Sequence, residues 1–337
     1  MLSVHLAKPY SHLCLISFFV QLYIFGSIMD RSTLRDVLSR IQRNSIVLAA
    51  EASILLLILS TAAINFPALH PARRLLTCDT SAQHPIWLSL ADTISAKGRI
   101  NILKSKGNNP SSEILLDVAV AMGFAMYFNS AGRNDEMWDC LGTAIRKSSS
   151  IAIFDDRSPQ WRRLTHDQKR QRRTLGLGIA LMDAWASFNR MRTPGIHPSL
   201  VHLHYENFNS RTKEESYTGI MDPRQLFIVH RSREYMMAFD SMVPSLRYSQ
   251  ATSLVSEIQR ISSLILQDVE KSEVALSPSS NDRAGTKSIQ RLICTSTPAY
   301  LACVITRRFL TDEGAPDNLR FRSLSHAQEI LSHIPTL

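Results

Sequence analysis

The residues of this chain that could do chemistry are few, and their spacing specifies little. His197, His202, His204 and Glu206 are the one cluster of metal-ligating types. Neutral imidazoles and a carboxylate can hold zinc, yet His202 and His204 share a face only on a strand, and no metal-site spacing is matched. They read as solvated loop residues. Asp155-Asp156 has the composition of an acid and base pair, but adjacent carboxylates in a polar connection read as a solvated turn. Gly176-Leu177-Gly178 puts Leu181 where a dinucleotide fingerprint needs its third glycine, and it lies within a helical pattern rather than after a strand. The sequence holds no P-loop and no Gly-x-Ser-x-Gly elbow. Five cysteines, Cys14, Cys78, Cys140, Cys294 and Cys303, are scattered without CxxC spacing, which suits single buried thiols better than a disulfide framework or a zinc site. No catalytic residue, metal ligand or cofactor is assigned, and the chain reads as a non-enzyme.

Two charged features ask for an explanation. Asp183 is the one ionisable residue amid the apolar turns of a long helix, and a buried carboxylate without a partner costs several kcal/mol or is neutralised. Arg146 or Arg192 is the expected partner, in a structural role. The run Arg157, Arg162, Arg163, Lys169, Arg170, Arg172 and Arg173 has a core, Lys169, Arg170, Arg172 and Arg173, that would serve as a nuclear-import or phosphate-binding patch. The plainer reading is the exposed start of a helix.

The elements that position these residues are helical, because apolar positions recur at three and four and strand-like alternation is missing. Helices are expected over Arg31–Arg43 and Ser45–Ile64, then around Trp87–Leu103, and from a Ser112 cap to Phe128. The next runs from Asp135 to Ser150, with Met137, Trp138, Leu141 and Ile145 as its apolar face. A capping box at Thr165-x-x-Gln168 opens the long helix to about Met191, which is apolar on most sides and therefore central. Further helices are expected over Arg224–Met242, Thr252–Val269 and Ser288–Phe309, and after a Ser325-x-x-Gln328 box. Two apolar runs raise a membrane reading. Leu13–Ile28 contains Gln21, and Ile46–Leu69 contains Glu51 and Asn65, leaving stretches too short to cross about 30 Å of hydrocarbon. Both read as buried helices.

The 337 residues allow one large or two medium domains at about 150 residues each. With 12 Gly and 14 Pro the chain is neither collagen-like nor mainly disordered. A net charge of +9 favours acidic surfaces without specificity.

Three stretches, in order, resemble the middle homology region, the regulatory domain of fungal zinc-cluster transcription factors. Phe18-Phe19-x-x-Leu22-Tyr23, followed by Ile28-Met29-Asp30-Arg31-Ser32-Thr33-Leu34, resembles the opening helix and its "P-I-x-D-R-x-T-F" continuation. Trp138-x-x-x-Gly142-x-Ala144-Ile145-Arg146-Lys147, ending in Ser150-Ile151-Ala152-Ile153-Phe154, resembles "W-x-x-x-G-x-A-I-R-x-A-x-x-L-G-L". Arg172-Arg173-x-Leu175, Asp183-x-x-x-Ser187 and Arg192-x-Pro194-x-Ile196 resemble "R-R-x-L-W-W … D-x-x-x-S … G-R-P-x-x-I". Gly176 and Leu177 stand in place of the tryptophan pair, Met191 in place of the glycine before Arg192, and the cysteine-rich DNA-binding cluster is not in this chain.

The resemblance implies an all-α fold in one large irregular domain. Residues 1–45 would form N-terminal helices packing on it, 46–270 the regulatory core and 288–337 C-terminal helices, with 271–287, which lacks apolar periodicity, a flexible linker between them. It implies a nuclear transcriptional regulator that acts through protein partners of the transcription machinery, a DNA-binding regulator or a small-molecule effector. DNA would bind only by charge, and no membrane would be involved. Trp138, Gly142, Arg146, Arg172, Arg173, Asp183, Arg192 and Pro194 would be its structural motif residues. The alternatives are a membrane-anchored protein using Leu13–Ile28 and a helical enzyme.

Overall fold

The computed structural model of the chain describes residue 28 and residues 31–43, 45–65, 88–93, 110–155, 157–162, 164–197, 200, 223–271 and 295–333. All regular structure among the described residues is helical, so the fold is all-α. The helices are α1 (Arg31–Gln42), α2 (Ala49–Asn65), α3 (Pro110–Ser130), α4 (Asn134–Ser150), α5 (His166–Arg190), α6 (Pro223–Ala238), α7 (Pro244–Lys271), α8 (295–306) and α9 (Asp317–His333), with a helical stretch at 88–93. The chain divides into two compact units, Met1–Ile179 and Ala180–Leu337. The division falls inside α5, within the 46–270 segment that reads as one core. An unbroken apolar helix carries no linker composition to announce a boundary there. Of the 271–287 linker expected from composition, all beyond Lys271 lies outside the described residues.

In the first unit α2 packs on α3, and α3 on α4. Residues 51–60 of α2 are buried on every side, which identifies the second apolar run as a core helix. Its buried Ser53, Ser60 and Thr61 hydroxyls donate to the carbonyls of Ala49, Leu56 and Leu57. These three hydroxyls are thus satisfied within the apolar core. At its first turn Glu51 accepts Arg40 Nη2 at 2.8 Å and the Leu48 N–H at 3.0 Å, a carboxylate at the positive end of the helix dipole. Among the described residues no helix is long and apolar enough to cross a membrane. Of the first apolar run, Leu13–Ile28, only Ile28 lies within the described residues, and it is fully buried.

Some boundaries differ from those expected. Ser112 does not cap α3, which begins at Pro110, because proline's fixed φ and missing N–H suit a first turn. In α4 the buried stripe is Met137, Leu141, Ala144 and Ser148, while Trp138 and Ile145 are half-buried at its margin.

In the second unit α6 packs on α7. Aromatic rings gather at two places in this unit. Trp185, Phe188 and Tyr300 form one cluster, and Tyr235, Phe239, Tyr248 and Phe309 the other. α7 starts at Pro244, eight residues before the expected Thr252, because its opening turns are mostly exposed and show no apolar stripe. The expected box at Ser325 is not a cap. Ser325 is exposed in the middle of α9, which starts at Asp317, where the Pro316 carbonyl accepts the Leu319 N–H at 2.9 Å. A first-turn carboxylate and a preceding proline fix that start better than a Ser-x-x-Gln spacing repeated on an exposed face.

Candidate functional site

The residues singled out by sequence collect at two places, one in each unit. In the first, α4 ends in a left-handed turn. Ala152 has φ 48°, the Ile153 N–H donates to the Ser148 carbonyl at 3.0 Å, and the Ala152 N–H to that of Ser149 at 3.0 Å. This is the paired-bond helix ending that normally carries glycine at the left-handed position. Three successive carbonyls of the turn, those of Ile151, Ala152 and Ile153, each accept a side-chain donor from further along the chain. Gln160 Nε2 donates to Ile151, Trp161 Nε1 to Ala152 at 3.0 Å, and Arg172 Nη1 to Ile153. Trp161 and Arg172 are 2% and 1% exposed, and the guanidinium lies 5.3 Å from the centre of the indole. A π face and a carbonyl thus accommodate a cation that has left water. Burial, and next the neighbouring Arg173, push the Arg172 pKa down to about 10.

Arg172 therefore does not belong to an exposed basic patch. The helix that begins at the capping box, with Thr165 N–H donating to Gln168 Oε1 at 3.0 Å and Gln168 N–H to Thr165 Oγ1 at 3.3 Å, turns it inward. Its neighbours stay nearer the surface: Arg170 is exposed, Lys169 and Arg173 half-exposed. At about 3.6 residues per turn, five consecutive positions run past a full turn and cannot all stay on one face. Gly176, four residues on, receives the Phe154 ring, since a Cβ there would meet Phe154 Cε1 at 3.3 Å.

In the second unit Asp183 is 1% exposed, as its setting in the sequence implies. Its partner is neither Arg146 nor Arg192. Oδ2 accepts the Ile196 N–H at 2.8 Å, Oδ1 accepts the Gly195 N–H at 3.1 Å, and the Ser187 hydroxyl stands 3.5 Å from Oδ1. α5 ends in the same kind of turn as α4, with Met191 at φ 52°, the Arg192 N–H on the Ser187 carbonyl at 3.0 Å and the Met191 N–H on that of Phe188 at 3.3 Å. That turn sends residues 192–196 back towards Asp183, where backbone donors reach the carboxylate before any side chain does. Burial raises the Asp183 pKa, and the two backbone bonds, Ser187 and the charge of Arg233 offset part of the rise.

The other motif residues do less. Arg146 is exposed and donates to Thr143 Oγ1 at 3.2 Å, Trp138 and Gly142 are half-buried, Arg192 is exposed and Pro194 half-buried. Asp155 accepts the Arg157 N–H at 3.0 Å in a turn. His197 is exposed, while His202, His204, Glu206 and Asp156 lie outside the described residues. Among the described residues no three His, Cys, Asp or Glu side chains come together as metal ligands. A cleft of about 470 Å³ opens between α6 and α7, walled by Arg231, Glu234, Tyr235, Met242 and Leu254, a size that takes a small molecule.

Sequence reasoning missed Trp161 and Arg233. A tryptophan in the polar stretch Ser158–Arg162 was the available signal for the first. Nothing marked Arg233, whose Nε donates to the Arg192 carbonyl at 2.7 Å. No family model, no curated protein and no solved structure matches this chain.

Proposed function

We propose that this chain is the regulatory domain of a fungal zinc-cluster transcription factor, or a relative of one, working in the nucleus. One observation carries the reading. Among the described residues, only two non-glycine residues have a left-handed φ, Ala152 and Met191. With Trp138 and Arg192 fixing the register, both occupy positions where the family pattern has glycine, in "L-G-L" and in "G-R-P". Left-handed backbone is the physical reason a pattern would keep glycine there. The contact of Asp183 with Ile196 joins two further letters of the same pattern and supports it.

In this role the chain has no chemistry of its own to perform. It modulates activity by packing against other segments, a protein partner of the transcription machinery or a DNA-binding regulator, and the α6–α7 cleft is the place for a small effector. Two measurements test it. Tagged protein should enrich in nuclei, and the chain fused to a heterologous DNA-binding domain should change reporter transcription. Exclusion from the nucleus together with carbonate-resistant membrane pelleting would favour anchoring through Leu13–Ile28 instead.

A further inference from the structure

The sequence contains four hydroxyl residues followed by proline: Ser158, Thr193, Ser277 and Thr297. A kinase needs such a hydroxyl exposed on extended backbone. Ser158 is half-buried ahead of a 3-10 turn, Thr297 is half-buried inside α8, and Ser277 lies outside the described residues. Thr193 is exposed, outside any helix, just after the left-handed Met191. Pro194 further restricts it to the extended region a bound substrate adopts.

A second feature stands beside it. Arg233, on α6, donates Nε to the carbonyl of the peptide group joining Arg192 to Thr193, at 2.7 Å. Its terminal nitrogens make no hydrogen bond among the described residues, so the donor fork is anchored at one corner and open at the other two. A planar fork of this kind suits phosphate oxygens.

We propose that Thr193 is a phosphorylation site for a proline-directed protein kinase and that Arg233 receives the phosphate. In the transfer, Thr193 Oγ attacks the γ-phosphorus of ATP, the bond to the β–γ bridging oxygen breaks, ADP leaves, and the hydroxyl proton passes to the kinase's catalytic carboxylate. The product places about −1.5 to −2 charge beside a guanidinium already oriented by its Nε bond. It also lies in the field of Asp183, which Arg233 offsets from the same position. The site stands independently of the regulatory reading.

The test incubates the full chain with magnesium ATP and a proline-directed kinase, beside a synthetic peptide of residues 188–198, and maps phosphate by mass spectrometry. Phosphate is expected on Thr193 in both and at no residue of that segment in Thr193→Val. The melting temperature of the phosphorylated chain should rise by about 2–4 °C, a shift that one new charge-assisted contact makes in a unit of this size. Arg233→Gln should accept phosphate without the rise, and Arg233→Lys should keep part of it. A peptide that is modified while the chain is not, or a peptide that is not modified, would overturn the site. An unchanged or lowered melting temperature, or a rise that survives Arg233→Gln, would overturn the role of Arg233.

Discussion

Asp183 Oδ2 accepts the N–H of Ile196 at 2.8 Å, and this bond, with its partner to Gly195, returns the chain onto the helix it has just left. Asp183→Ala orphans a buried donor at Ile196, at ~1–3 kcal/mol, and leaves the N–H of the exposed Gly195 to water. Calorimetry should show a loss of about 2–12 °C, at roughly 2–4 °C per kcal/mol. Double-mutant cycles with Arg146→Ala and Arg192→Ala should show coupling under ~0.5 kcal/mol. Coupling above that would restore an arginine as the partner.

The same carboxyl predicts a pH dependence of unusual sign. Its folded pKa is raised, so the folded state holds the proton more tightly than the unfolded chain does. The margin of wild type over Asp183→Ala should therefore shrink as pH rises through a window that opens near the ordinary aspartate value of about 3.9. A margin that grows with pH over that range would mean that the N–H bonds outweigh desolvation.

At the two left-handed turns, glycine should do better than the native residue. Ala152→Gly removes a Cβ strain of about 1–2 kcal/mol against a smaller loss from the more flexible unfolded chain. A net gain of ~0.5–1 kcal/mol is expected by urea denaturation. Met191→Gly should gain less, because it also strips a half-buried side chain. A destabilised Ala152→Gly would contradict the φ of 48° and remove the main support of the functional reading.

The Arg172 guanidinium lies against the Trp161 indole and donates to the Ile153 carbonyl, and its stem fills a buried site, so packing as well as charge should show in its replacement. Arg172→Ala should cost about 2–4 kcal/mol, a truncation in a filled site. Arg172→Met, which keeps the stem, should cost less. Because its folded pKa is about 10, below the ordinary arginine value, the penalty for burying the charge is present at neutral pH and eases only as pH rises through about 10. Neutralising Lys169, Arg170 and Arg173 together should leave the melting temperature nearly unchanged and weaken DNA retention. That retention should itself fall steeply with salt and ignore sequence. A sequence-specific footprint at physiological salt would refute it.

Two glycines should respond in opposite directions. A Cβ on Gly123 would come within 3.0 Å of Leu57 Cδ1, between the buried helices α3 and α2. Gly123→Val should cost ~1–3 kcal/mol by overpacking. At Gly142 the nearest atom is Arg146 Nη1 at 3.3 Å, the far end of an exposed side chain. Gly142→Ala should gain up to ~1 kcal/mol from helix propensity.

What the amino-acid order determined by itself is local or periodic. The all-α class follows from apolar spacing, and the burial of Asp183 from its setting among apolar turns. The Thr165–Gln168 start of α5 follows from a three-residue hydrogen-bonded box, and the core nature of α2 from an apolar run too short for a bilayer. Each rests on interactions within a few residues, which one sequence records directly. The tertiary structure alone decided who meets whom. Arg172 stands in a basic run yet faces Trp161 and the Ile153 carbonyl, because helix phase carries one position of any such run inward. Asp183 ends on backbone N–H groups and not on a nearby arginine, because a left-handed turn at Met191 brings donors back within reach. Neither Arg233 nor the division of the chain inside α5 leaves a local trace, since both depend on chain segments that meet only after folding.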